Sequence, residues 1–175
     1  MKTRLVISEC VGLAFCFIMS FVLHFIFEWC GGSPYIAWFG AVNESVWEHG
    51  KILFYPYLIY SIIEYFILKP SNINNYLTAK CVPLLFAIPL MATIFYTYSG
   101  IIGTNYLIMD ILTALIVLVL MFLFSFNALN KGYTLKYSYI LLILVIILTI
   151  LIIVFTYYPP KIALFYDFAH KRYSF

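Results

Sequence analysis

Asn43-Glu44-Ser45-Val46-Trp47-Glu48-His49 packs two carboxylates, an imidazole, an amide and a hydroxyl into seven residues of a chain that is 65% hydrophobic and 10% charged. Lys51 follows, and the sequence then runs apolar from Ile52 to Leu68, with Ser61 and Glu64 the exceptions. A dense polar knot thus stands at the mouth of a stretch long enough to cross a bilayer as a helix, which needs about 20 residues. That contrast decides the fold class.

The whole chain shares the apolar character. It has 175 residues, 21% of them aromatic, and a mean hydropathy of +1.03. Soluble domains hold roughly 45–50% apolar residues. By the same length rule five spans are expected, at about 5–28, 47–68, 81–98, 105–127 and 138–158. Lipid offers no hydrogen-bond partner to the backbone, so a span is a helix or part of a closed barrel, and these runs lack barrel alternation. The expectation is one all-α, polytopic transmembrane bundle over residues 1–175, followed from 159 to 175 by an interfacial tail. Met1-Lys2-Thr3-Arg4 before an apolar run imitates a signal peptide. The run continues to Phe27, Glu9 interrupts it and no small-x-small site follows, so it reads as an uncleaved first span.

Charge placement predicts topology. Lys2, Arg4, Lys69, Lys80, Lys131 and Lys136 fall on one side, expected to be cytoplasmic. The loops 29–43 and 99–104 carry no Lys or Arg, while Lys161, Lys171 and Arg172 are a mild violation on the outer side. The result is an inside N-terminus, an outside C-terminus and a bacterial cell-membrane location. The net charge of +3 is spread along the chain, with no basic patch for nucleic acid. Cys10, Cys16, Cys30 and Cys81 show no paired spacing.

Ionisable residues inside apolar runs are costly and need partners or a function. His24 and Glu28 end span 1 on one helix face. Glu48 and His49 open span 2, Asp110 lies near the start of span 4, and the tail adds Asp167 and His170. All belong to the outer half. Spans 1, 2 and 4 are therefore expected to pack together around an outward-facing polar cavity, with the nearly pure Leu/Ile/Val span 5 against lipid. Glu9 and Glu64, at the other end, are expected to snorkel or to pair with Arg4 and Lys69.

The chemistry admits several readings. His24, Glu28, Glu48 and His170 could ligate a divalent metal such as zinc, which favours imidazole and carboxylate. Without a metal, Glu48, Glu44 and His49 could exchange protons with a substrate. Asn43, Ser45, Trp47, Lys51 and Asp110 would then bind it, Lys51 holding an anionic headgroup. Membrane lipid or another amphiphile is the expected partner. A proton-coupled carrier would use the same residues, and five spans would then call for a homo-oligomer. A non-catalytic subunit is the third class. Against all of these, Ser45-Val46-Trp47-Glu48 has the pattern of a capping box that simply starts a helix. The tail is either an amphipathic interfacial helix, with Ile162, Phe165, Phe168 and Ala169 opposite Asp167, His170 and Lys171, or a cap on the site.

Asn43 to His49 with Lys51 and Pro56, preceded by His24 and followed by Tyr158-Pro159-Pro160 and Leu164-Phe165, resembles the signature of a family of small bacterial membrane proteins without an assigned activity. That resemblance covers most of the chain and implies the fold alone. A fainter likeness to alkaline-ceramidase-type hydrolases, which hold zinc with histidines, an aspartate and a serine, lacks the span count and the paired-histidine helix of those enzymes.

Overall fold

The computed structural model describes residues 2–173; Met1, Ser174 and Phe175 lie outside the described residues. Five helices follow one another: α1 Lys2–Trp29, α2 Val46–Leu68, α3 Ile73–Ile102, α4 Leu107–Lys131 and α5 Ser138–Tyr157. All five are long and apolar enough to cross a membrane. The short connections 69–72, 103–106 and 132–137 make neighbours antiparallel. One face of the bundle therefore gathers the start of α1, the α2–α3 turn and the α4–α5 loop. The other gathers the α1–α2 loop, the α3–α4 turn and the tail.

Local chemistry sets the ends. Ser45 caps α2 by accepting from the Glu48 backbone N–H, and the Asn72 side chain caps α3 by accepting from Asn75. Gly103 and Gly132 end α3 and α4 in the left-handed conformation that glycine takes without strain. The largest departure from expectation is α3. It begins at Ile73, eight residues before the expected 81, because Asn74, Asn75 and Lys80 find partners inside the protein. Asn75 donates to the carbonyls of Ala128 and Tyr133 at the end of α4, at 2.8 and 2.7 Å. Asn74 accepts from Ser138 at 2.8 Å.

Helices in lipid gain little from the hydrophobic effect on meeting, so close backbone approach and polar contacts hold them together. α1 packs on α2 and α4, and α3 packs on α2, α4 and α5. The four-helix core thus has α1 and α3 on one diagonal and α2 and α4 on the other. Spans 1, 2 and 4 do not form the core by themselves, since α3 stands between α2 and α4 as the common neighbour. A side chain at Gly12 would strike the rings of Tyr60 and Phe122, and one at Gly50 would meet Ile88 at 2.7 Å. These two glycines let α1 and α3 approach α2. α5 is peripheral, with 17% of its span buried against 50% for α2 and for α3.

Glu9 and Glu64 do not pair with Arg4 and Lys69. Both converge on Lys80, which α3 carries into the bundle, where it lies 3.1 Å from Glu9 and in direct contact with Glu64. Lys80 is 3% exposed, so it belongs to the interior and not to the set of basic residues that report topology. The tail is not a helix. One 3-10 turn at Ala163–Phe165 is followed by a tight turn closed by the Asp167–Arg172 bridge. It folds over the end of the bundle, with Phe165 against Trp47 and Phe155.

Candidate functional site

The polar knot from Asn43 to Lys51 divides into a buried frame and an exposed group. In the frame, the Asn43 side chain accepts from the Ser45 N–H at 2.9 Å, the turn that precedes many helices. Trp47 packs between Phe155 and Phe165. Glu48 does not reach back to the Ser45 N–H as a capping box would; its Oε2 accepts from the Val42 N–H at 3.1 Å. The same oxygen contacts the Lys51 ammonium, and both side chains are buried. Lys51 Nζ also donates to the Ala37 carbonyl at 2.9 Å and to Thr156 Oγ1 at 3.2 Å. The pair therefore ties the start of α2 to the loop before it and to the end of α5. Lys51 faces the protein interior and not the headgroups.

The exposed group is His24 from α1, Glu44 from the loop and His49 from α2. His24 Nε2 and His49 Nε2 each lie 3.5 Å from the same Glu44 oxygen. One ligand atom from each of the three lies within 4.8 Å of the others. The imidazoles meet edge to face at 5.2 Å between ring centres. His49 Nδ1 faces the Ser45 carbonyl at 2.9 Å. A carbonyl only accepts, so Nδ1 carries a proton, and Nε2 is the ring nitrogen turned toward Glu44, the one a histidine so held would offer to a metal. His24 Nδ1 is buried with no hydrogen-bond partner among the described residues. The His24 imidazole, aided by His49 and against partial burial, holds the Glu44 carboxyl below the usual carboxylate range.

Asp167 of the tail fixes this loop. Its buried carboxylate accepts from the Glu44 N–H at 3.1 Å and from the N–H groups of Ala169 and His170 at 2.9 and 3.0 Å. His170 Nδ1 approaches it at 2.8 Å. Burial works to raise the Asp167 carboxyl, but the His170 and Glu44 N–H groups and the His170 ring outweigh it and leave it below its ordinary value. His170 is thus engaged with Asp167. It lines, with His24, Glu28, Glu44 and Arg172, a cavity of about 130 Å³ on one side of the group.

On the other side, a cavity of about 180 Å³ runs from Glu44 and His49 past Met91, Phe95 and Leu107 to Asn105 and Asp110. Asp110 accepts from Tyr98 and, at 3.1 Å, from Asn105. Sequence reasoning gathered His24, Glu44, His49 and Asp110 at one end of the bundle, and the structure brings them there. Glu28 and His170 stand at the rim of the smaller cavity, and Glu48 is turned into the frame. Asp167 as the anchor of the loop went unread, because its partner there, the Glu44 N–H, is 123 residues away in sequence.

The chain matches the model of a family of unknown function (DUF6512) over residues 4–175. It belongs to that family. No curated protein and no solved structure matches it.

Proposed function

We propose that the protein is a metal-dependent membrane enzyme acting on a lipid or similar amphiphile, with a divalent metal such as zinc held by His24, Glu44 and His49. The observation that carries this reading is the pair of 3.5 Å separations between one Glu44 oxygen and two imidazole nitrogens. Tetrahedral zinc with arms of about 2.1 Å has ligands about 3.4 Å apart. Three protein ligands leave one position for water or substrate, the arrangement of catalytic and not structural zinc.

What surrounds the group supports an amphiphile. The cavity beside Glu44 and His49 has an apolar wall of Met91, Phe95 and Leu107 and a polar far end at Asp110 and Asn105. Leu107 is largely exposed at the start of α4. A headgroup could reach the open position while its chain stays in lipid. A divalent metal there would make bound water a nucleophile near neutral pH. Asp110 is the other carboxylate lining that cavity and is the candidate to accept or return the proton. The asymmetry of basic residues supports an outer-leaflet location, with the N-terminus in the cytoplasm.

Metal content of the detergent-purified protein, measured by mass spectrometry, tests this. Wild type should carry close to one equivalent. His24→Ala, His49→Ala and Glu44→Gln should each lose it, while Asp110→Asn should keep it and lose turnover of a lipid ester or phosphoester. A metal-free wild type that binds no added zinc would remove the reading.

A further inference from the structure

A second cluster of ionisable groups lies in the same bundle, away from the histidines. Fifteen residues of α1 separate Glu9 from His24, about 22 Å at 1.5 Å per residue. α1 supplies Glu9 and, nearby, Cys16; α2 supplies Glu64, Tyr57 and Tyr60; α3 supplies Lys80 and Tyr76; α4 supplies Ser125. Glu9, Glu64 and Lys80 are 5%, 0% and 3% exposed. Two carboxylates therefore share one ammonium, which leaves one negative charge in excess inside the membrane domain.

The donors do not cover the acceptors either. Glu9 Oε1 receives Lys80 at 3.1 Å and Ser125 Oγ at 2.6 Å. Glu64 Oε2 receives Lys80. The Tyr76 hydroxyl stands 3.5 Å from Glu64 Oε2, but its single proton goes to the Ser61 carbonyl at 2.5 Å. Among the described residues, Glu9 Oε2 and Glu64 Oε1 are buried with no hydrogen-bond partner, as is the Tyr57 hydroxyl. Lys80 also faces the rings of Tyr57, Tyr76 and Phe122 at 5.8 to 5.9 Å, so the ammonium is held among them.

We infer that Glu9, Glu64 and Lys80 form a proton-binding site in which the two carboxyls hold one proton between them and Lys80 balances the remaining charge. An uncompensated buried charge costs far more than the neutral form of the same group. A proton cancels the excess without adding volume, and it supplies a donor to a cluster that has two bare acceptors. Glu9 also borders a groove between α1 and α4 beside Leu13, Val119 and Phe126, which gives the proton an edge of the bundle from which to exchange.

Infrared spectroscopy of the protein in liposomes tests this, read at the carbonyl stretch of a protonated carboxyl. Wild type should show one such carboxyl at neutral pH. Glu9→Gln and Glu64→Gln should each abolish it, because either change leaves a single carboxylate matched to Lys80. Lys80→Gln should show two. Loss in only one of the two glutamine variants, or no protonated carboxyl in wild type, overturns the inference. The wild-type measurement stands even where a variant fails to fold. A wild-type band that appears only when sodium is replaced by choline would assign the excess charge to sodium and overturn the proton.

Discussion

Lys51 stands six residues into α2, where a lysine in a membrane helix usually extends to the headgroups. Its ammonium is instead fully buried, shared among Glu48, the Ala37 carbonyl and Thr156. Removing one member of such a pair leaves the other charge buried and alone, at a cost of about 3–5 kcal/mol. Lys51→Met and Glu48→Gln should therefore each lower unfolding stability in detergent, Lys51→Met by about that amount. Glu48→Gln should cost less, because the amide oxygen can still accept from the Val42 N–H. The double variant should be more stable than Lys51→Met alone, and metal binding at His24, Glu44 and His49 should survive Glu48→Gln. Equal loss of metal in Glu48→Gln and Glu44→Gln would place Glu48 in the ligand set. The motif in the sequence holds both carboxylates four residues apart. Nothing in the spacing of Glu44 and Glu48 tells which carboxylate turns inward, because that depends on where the Val42 N–H and the Lys51 ammonium lie.

At the scale of elements, Asp167 joins the tail to the loop 30–45 through the Glu44 N–H and closes the tail's own turn through Ala169, His170 and Arg172. Its carboxyl sits below the ordinary value of 3.8 in the folded protein. A lowered value means stabilisation that is full above the unfolded value and lost as pH falls through the folded one. Tail docking should thus be constant from neutrality down to about pH 4 and weaken below it. Limited proteolysis or hydrogen exchange of residues 163–173 would follow this. Asp167→Asn should loosen the tail at neutral pH by about 1–3 kcal/mol and show no further acid step. If wild type and Asp167→Asn lose tail protection over the same acid range, another group controls docking. The five membrane helices were legible in the sequence because runs near 20 apolar residues admit little else. The start of α3 was not, since Asn74, Asn75 and Lys80 look like a loop until the end of α4 and the carboxylates of Glu9 and Glu64 meet them. The tail was not: Phe165 turns inward as expected, but Asp167 is buried while Ile162 and Phe168 are exposed, because a turn closed by Asp167 and Arg172 replaces the helix.

For the whole molecule, the two ionisable clusters occupy opposite ends of one bundle, and their placement in the cell depends on which face is outside. Lys2, Arg4, Lys69, Lys131 and Lys136 share one face, and Lys80, once counted with them, is interior. The other face carries Lys161, Lys171 and Arg172, with Arg172 near Asp167 at 3.9 Å. The bias survives the removal of Lys80 and predicts the Glu9–Lys80 end in the cytoplasm and the histidine end outside. The free thiols allow a direct check. Cys30 is exposed just beyond the end of α1, whereas Cys10 is exposed on the membrane-spanning part of α1 and Cys16 and Cys81 are buried. A membrane-impermeant maleimide added to intact cells should label Cys30, and Cys30→Ser should abolish that labelling. Ser71→Cys in the Cys30→Ser background, in the turn between α2 and α3, should label only after the membrane is opened. The reverse pattern would turn the molecule over. The histidine group would then face cytoplasmic lipid, and the Glu9–Glu64–Lys80 cluster would lie toward the outer leaflet.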